Sequence, residues 1–231
     1  MLTGGFVKLD RGINLPYTNN DLRVYIHLLL SANYIDNTVY DTFIYTGQLL
    51  TSYGKIAEQL GLTVSEIITS ITHLEAINKI VWKGVKNKYS ICTIVNYKEI
   101  CSDKKYNFVM LYRSIISREW YKSSAVAKLY YYIILHADAD NIIIAKPVYL
   151  QNALKIGHSA LATALKKLAE DNLILYYIMS RQLYITINQG DACLKQQQSK
   201  ENADIHPPSV PAASEPIPDN PAPSSDNQIY Y

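Results

Sequence analysis

The sequence predicts an α+β protein in which one unit of about 95 residues is used twice and is followed by a disordered tail. Three observations carry this: an internal repeat, one order of helices and strands in both copies, and a composition change near residue 191. In the repeat, Phe6-Val7, Leu9, Arg11 and Ile13 return 102 positions later as Phe108-Val109, Leu111, Arg113 and Ile115. VYIHLLLSAN (24–33) then faces LYYYIILHAD (129–138) at an offset of 105, and Ile67, Ile71, Leu74, Asn78 and Ile80 face Leu161, Leu165, Leu168, Asn172 and Ile174 at 94. The offset drops by 11 between two well-matched helices, as a loop or hairpin present in one copy alone would produce.

Each element follows in order. Leu22, Tyr25, Ile26, Leu29 and Leu30 have the spacing of a helix with one buried face over 21–33. Residues 39–50 are rich in Tyr, Thr and Ile and contain Gly47, which suits a strand or hairpin. A second helix is expected over 53–60, where small Ala57 permits close approach and Gly61 turns the chain. Thr63-Val64-Ser65-Glu66 is a capping box, in which hydroxyl and carboxylate each satisfy the other residue's amide, and it opens a third helix. There Val64, Ile67, Ile68, Ile71 and Leu74 are expected inward, with Ser65, Glu66, Thr69, Thr72 and His73 outward. Two strands, 80–82 and 89–94, flank a basic turn holding Lys83, Lys86 and Lys88.

The second copy gives helices over 124–137, 148–155 and 158–171, a short strand over 142–144, and hairpin strands over 173–177 and 183–187 with Arg181 at the tip. Leu161, Leu165 and Leu168 form its inward stripe, while Ser159, Thr163, Lys166 and Lys167 face outward. Lys155 stands where the first copy has Gly61, a departure in the turn. Helix, strand, helix, helix and hairpin is the order of a winged helix-turn-helix. The domain plan is therefore 1–100, 101–190 and a tail over 191–231. That tail holds seven of the nine prolines and too little apolar surface to offset the entropy of ordering it. Ile229, Tyr230 and Tyr231 at its end are either a peptide docked by another protein or a solubilising terminus.

Charge narrows the partner. The net charge is +2, yet residues 201–231 hold five acids and no Lys or Arg, so residues 1–200 carry 22 basic against 15 acidic side chains. Residues 101–200 hold 13 basic against 7 acidic, whereas 1–100 are nearly balanced. The excess suits a polyanion. Cys92, Cys101 and Cys193 have no metal-ligand or disulfide spacing, and no apolar run is long enough for a membrane span, so a reducing bacterial cytoplasm, close to the nucleoid, is expected. No GxxxxGK[ST], GxSxG or HExxH occurs, so neither catalysis, metal nor cofactor is expected.

The stretches GGFVKLDRGI, YIHLLLSANY, TGQLLTSYGKIAEQLGLTVSEI and NKYSICTIVNY, across residues 4–97, resemble the amino-terminal winged helix of phage and bacterial replisome organisers of the DnaD type. The resemblance implies work at a replication origin, oligomerisation through the winged helix, and a replisome partner met through a separate helical domain. Of that domain's YxxxIxxW motif only Tyr112 and Ile116 fit, with Trp120 one place late. Two such units in tandem are similar, in architecture alone, to plasmid replication initiators.

In such a fold the third helix enters the major groove of duplex DNA and the hairpin reaches phosphates. The expected contacts are Ser159, Thr163, Lys166, Lys167 and Arg181 in the second unit, and Ser65, Thr69, Thr72, His73, Lys83, Lys86 and Lys88 in the first. The first unit either joins in DNA contact or serves self-association. The sequence-level function is a non-enzymatic DNA-binding replication initiator or organiser of a phage or mobile element. A transcriptional regulator, or an adaptor that touches only proteins, is the alternative.

Overall fold

A computed structural model describes residues 5–12, 20–85, 89–100, 108–138 and 140–188 of the 231. The tail over 191–231, with Ile229, Tyr230 and Tyr231, lies outside the described residues, as do Lys86 and Lys88.

The class is α+β. In the first half, β1 (Phe6–Asp10) leads to α1 (Asp21–Ser31), a small hairpin of β2 (Asn37–Val39) and β3 (Thr42–Ile44), and β4 (Gln48–Thr51). Next come α2 (Tyr53–Leu60), α3 (Val64–Ala76), β5 (Ile80–Gly84), β6 (Ser90–Ile94) and the single turn α4 (Tyr97–Ile100). The second half runs β7 (Phe108–Tyr112), two 3-10 turns (Arg113–Ser117 and Glu119–Lys122), α5 (Ser124–His136) and β8 (Ile142–Ala145). It ends with α6 (Pro147–Leu154), α7 (His158–Glu170), β9 (Ile174–Met179) and β10 (Gln182–Ile187). Each half closes with a three-stranded antiparallel sheet whose strands follow the same pattern, β4-β6-β5 and β8-β10-β9. The β2–β3 hairpin has no counterpart after α5, and it accounts for the drop in repeat offset.

Local chemistry sets the helix ends. Ser52 caps α2 by accepting from the Lys55 amide, and the Thr63–Glu66 capping box opens α3. Gly61 ends α2 in the left-handed region at φ 63°, where L side chains are strained. Lys155 holds the same place after α6 at φ 52°, so the departure in the sequence leaves the turn geometry intact.

The halves share one continuous apolar core, and their repeated segments grip each other. Strands β1 and β7 pair antiparallel, Val7 opposite Leu111 and Leu9 opposite Val109. Since Val7 corresponds to Val109 and Leu9 to Leu111, each copy meets its counterpart as across a local two-fold axis. Arg11 donates to the carbonyl of Ala137 at the end of α5, and Arg113 to those of Leu30 and Ala32 at the end of α1. Arg11 matches Arg113 and Ala32 matches Ala137, so this exchange too is reciprocal. Buried Arg23 adds a further tie, donating to the Leu60 carbonyl at 2.9 Å in its own half and to those of Tyr121 and Lys122 at 3.3 and 3.4 Å in the other.

One expectation about α3 fails. Ile67, Ile71 and Leu74 are buried as expected, but Val64 and Ile68 are exposed and Ser70 is buried. At 100° per residue, Val64 and Ile68 lie on one flank of the stripe and Ser70 on the other. The helix is rolled toward Ser70, which leaves two apolar side chains outward.

Candidate nucleic-acid interface

The outer faces of α3 and α7 occupy equivalent places in the two halves, yet differ chemically. Both follow a tight turn from the preceding helix, and the buried stripes Ile67-Ile71-Leu74 and Leu161-Leu165-Leu168 anchor them alike. What faces solvent is set by the residues between.

On α3, Ser65, Thr69, Thr72 and His73 are exposed, as expected. Thr69 and Thr72 donate their hydroxyls back to the carbonyls of Ser65 and Ile68, at 3.0 and 2.9 Å, so those hydroxyl protons are engaged within the helix. His73 Nδ1 lies 3.3 Å from Asp21 at the start of α1, and is tied to the protein's own carboxylate. Glu66 accepts from the Thr63 amide at 2.9 Å, the Thr63 hydroxyl at 2.8 Å and Asn20 at 3.1 Å. The Thr63 amide and hydroxyl hold its carboxyl below the usual range, so it stays ionised. The amino end of α3 is thereby closed by a fixed anion. No Lys or Arg lies on the helix, while Val64 and Ile68 add apolar surface. Lys83 is exposed on β5.

The amino end of α7 is the reverse. Gly157 caps it without a side chain, no acid occupies its first turn, and the first carboxylate on the helix is Glu170. Exposed Lys155 in the preceding turn, then His158, Ser159, Thr163 and Lys166, present polar and basic groups. Free helical amides, the positive end of the helix dipole and Lys155 all favour a phosphate there.

One expected contact, Lys167, is less open than the sequence suggests. The sequence puts Lys167 outward, but it is only about one third exposed and bridges Glu119 at 3.2 Å and Asp171 at 3.9 Å. The Glu119 hydrogen bond and charge raise its pKa, and the pair lies at the surface, where Glu119 is well exposed. Lys166, whose partner Glu170 lies 3.8 Å away with both groups well exposed, is the more open of the two lysines. Arg181 does stand at the β9–β10 turn, where Ser180 and Arg181 both have positive φ. The hairpin behind it is not basic, however: Leu175, Tyr176, Tyr177, Ile178 and Met179 are all exposed. Of these five, only Tyr176 and Tyr177 carry a hydroxyl that could donate to a phosphate.

Comparison with protein-family models and with curated proteins gives no match. The site rests on its own chemistry.

Sequence reasoning misses two features. Lys155 and His158 join the α7 face, and their signal is the absence of any acid between Lys155 and Lys166. The exposed strand β9 reads in the sequence only as a hairpin strand, although ILYYIM has no alternation and so no polar side to give to solvent. Among the described residues no group of His, Cys, Asp and Glu could hold a metal ion, and no helix is long and apolar enough to cross a membrane.

Proposed function

We propose that this protein binds duplex DNA through its second half, as a winged helix whose α7 lies in the major groove, and that it acts as a replication initiator or organiser of a phage or mobile element. The observation that carries the reading is the outer face of α7: Lys155, His158, Ser159, Thr163 and Lys166 exposed, no carboxylate among them, on a helix whose amino end has no side-chain cap. Phosphates bind the amino end and Lys155, while Ser159, Thr163 and Lys166 face base edges or backbone. The excess of basic residues between 101 and 200 supports the same half. We read the first half as a second winged helix, turned to other use, because Glu66 and the engaged threonine hydroxyls make α3 a poor partner for phosphate. The replication role is supported by the resemblance of residues 4–97 to replisome organisers of the DnaD type. No step of catalysis is assigned.

The test is a salt titration of binding to a labelled duplex of the element's own origin. Each phosphate that the protein ceases to neutralise lowers the slope of log K against log salt by about 0.9. Lys166→Ala is expected to reduce the slope by about one. Lys167→Ala is expected to reduce it less, because that side chain is less exposed and pairs with Glu119 and Asp171. Equal effects of the two substitutions, or no duplex binding at low salt, would remove α7 from the interface.

A further inference from the structure

Strand β9 is the edge of its sheet, since the order is β8-β10-β9 and no described strand pairs with its outer side. It carries no charge from Ile174 to Met179. Its register with β10 puts Ile174, Tyr176 and Ile178 opposite Ile187, Ile185 and Leu183 on the core face, and Leu175, Tyr177 and Met179 opposite Thr186, Tyr184 and Gln182 on the other. Ile174 is buried, but Leu175 is 60% exposed, Tyr177 56%, Ile178 65% and Met179 53%. Tyr177 stacks on Tyr184 with ring centroids 5.0 Å apart and planes within 2°, so the outer face is a set, flat surface. An apolar edge strand with open hydrogen-bonding groups invites another strand, and proteins that keep such an edge free ordinarily place a Lys or Pro on it. Neither residue occurs in β9.

We infer that β9 is a self-association edge, on which the β9 of a second copy adds antiparallel to make one six-stranded sheet across a two-fold axis. Three observations select a second copy as the occupant. With the axis through Tyr177, Leu175 meets the other copy's Met179, Tyr176 meets its Ile178, and Tyr177 meets itself; every cross-strand pair is apolar and no like charges oppose. Leu175, Tyr177 and Met179, exposed on one face, become continuous with the same residues of the second copy across the joined sheet. The chain already joins equivalent strands in this manner once, between β1 and β7 about a local two-fold. The inference goes beyond the DNA reading. The resemblance places self-association in the first half; this edge lies in the second.

The experiment is sedimentation equilibrium or light scattering on the full chain without DNA, so its outcome is independent of duplex binding. The wild-type chain is expected at twice the single-chain mass at about 100 µM. Tyr177→Lys, which puts two ammonium groups on the axis, is expected at the single-chain mass with an unchanged circular dichroism spectrum. Tyr177→Phe is expected to stay paired. Ile178→Lys repeats the test from the other face should Tyr177→Lys disturb the Tyr184 stack. A wild-type chain at single mass overturns the inference. So does a Lys variant that stays paired, or a wild-type assembly that grows past two copies.

Discussion

His27 shows how single residues divide structural from functional roles. Its imidazole is buried, with Nδ1 3.2 Å from the Tyr121 hydroxyl and Nε2 3.1 Å from Gln59 Oε1. Burial pushes its pKa down to about 4 from the ordinary 6.5, outweighing the contact with Gln59. Above pH 6.5 the ring is neutral both folded and unfolded, and stability is unaffected. As pH falls from 6.5 toward 4, the unfolded chain takes up a proton that the folded one refuses, so stability falls by up to about 3 kcal/mol. Urea denaturation at pH 7.5 and pH 4.5 is expected to show this decrease, and His27→Gln to remove that part of it. Both halves feel the effect, because Tyr121 belongs to the second and His27 to the first. Lys167 makes the complementary point: in sequence it is the twin of Lys166, and only the positions of Glu119 and Asp171 tell the two apart.

At the scale of elements, the turns before α3 and α7 are one device with two chemical outcomes. Gly61 relieves the left-handed conformation and leaves no room for more: a Cβ there would lie 3.2 Å from the Lys122 carbonyl oxygen and Cβ. Lys155 accepts the same conformation at a cost in strain, and sets a cation at the amino end of α7. Lys155→Gly is therefore expected to raise stability by about 0.5–1 kcal/mol in thermal or urea denaturation. The same substitution is expected to weaken duplex binding several-fold, since in the proposed complex that cation faces phosphate. Gain in both quantities would mean that Lys155 has no part in binding.

Much at this scale is legible in the sequence. The helices, the capping box and both hairpins declare themselves through period, cap and turn residues, because those signals are local. The roll of α3, which exposes Val64 and Ile68, is not legible, since it depends on what packs against Ser70. Nor is the apolar surface of β9, because a continuous run such as ILYYIM reads the same whether both faces are covered or bare.

The repeat gives the whole molecule a local symmetry that its surface does not keep. Equivalent strands, equivalent arginines and equivalent helix ends bind each other reciprocally, as halves of a dimer would, and one core runs through both. The repeat itself is plain in the sequence; the grip of β1 on β7 is not, because residues about 100 apart meet only in the folded chain. Within this frame the outer faces have diverged, the first closed by Glu66 and the second open at Lys155. Because residues 65 and 69 correspond to 159 and 163, the two faces can be challenged identically. Ser65→Glu with Thr69→Glu, and Ser159→Glu with Thr163→Glu, each add two negative charges at equivalent exposed places on helices of the same length. The direct measurement is the affinity of these two variants and the wild-type chain for one duplex at fixed salt. The α7 pair is expected to bind about a hundredfold or more weakly, and the α3 pair less than about fivefold more weakly. Equal decreases, or a larger decrease from the α3 pair, would contradict the assignment of the DNA-gripping face to the second half.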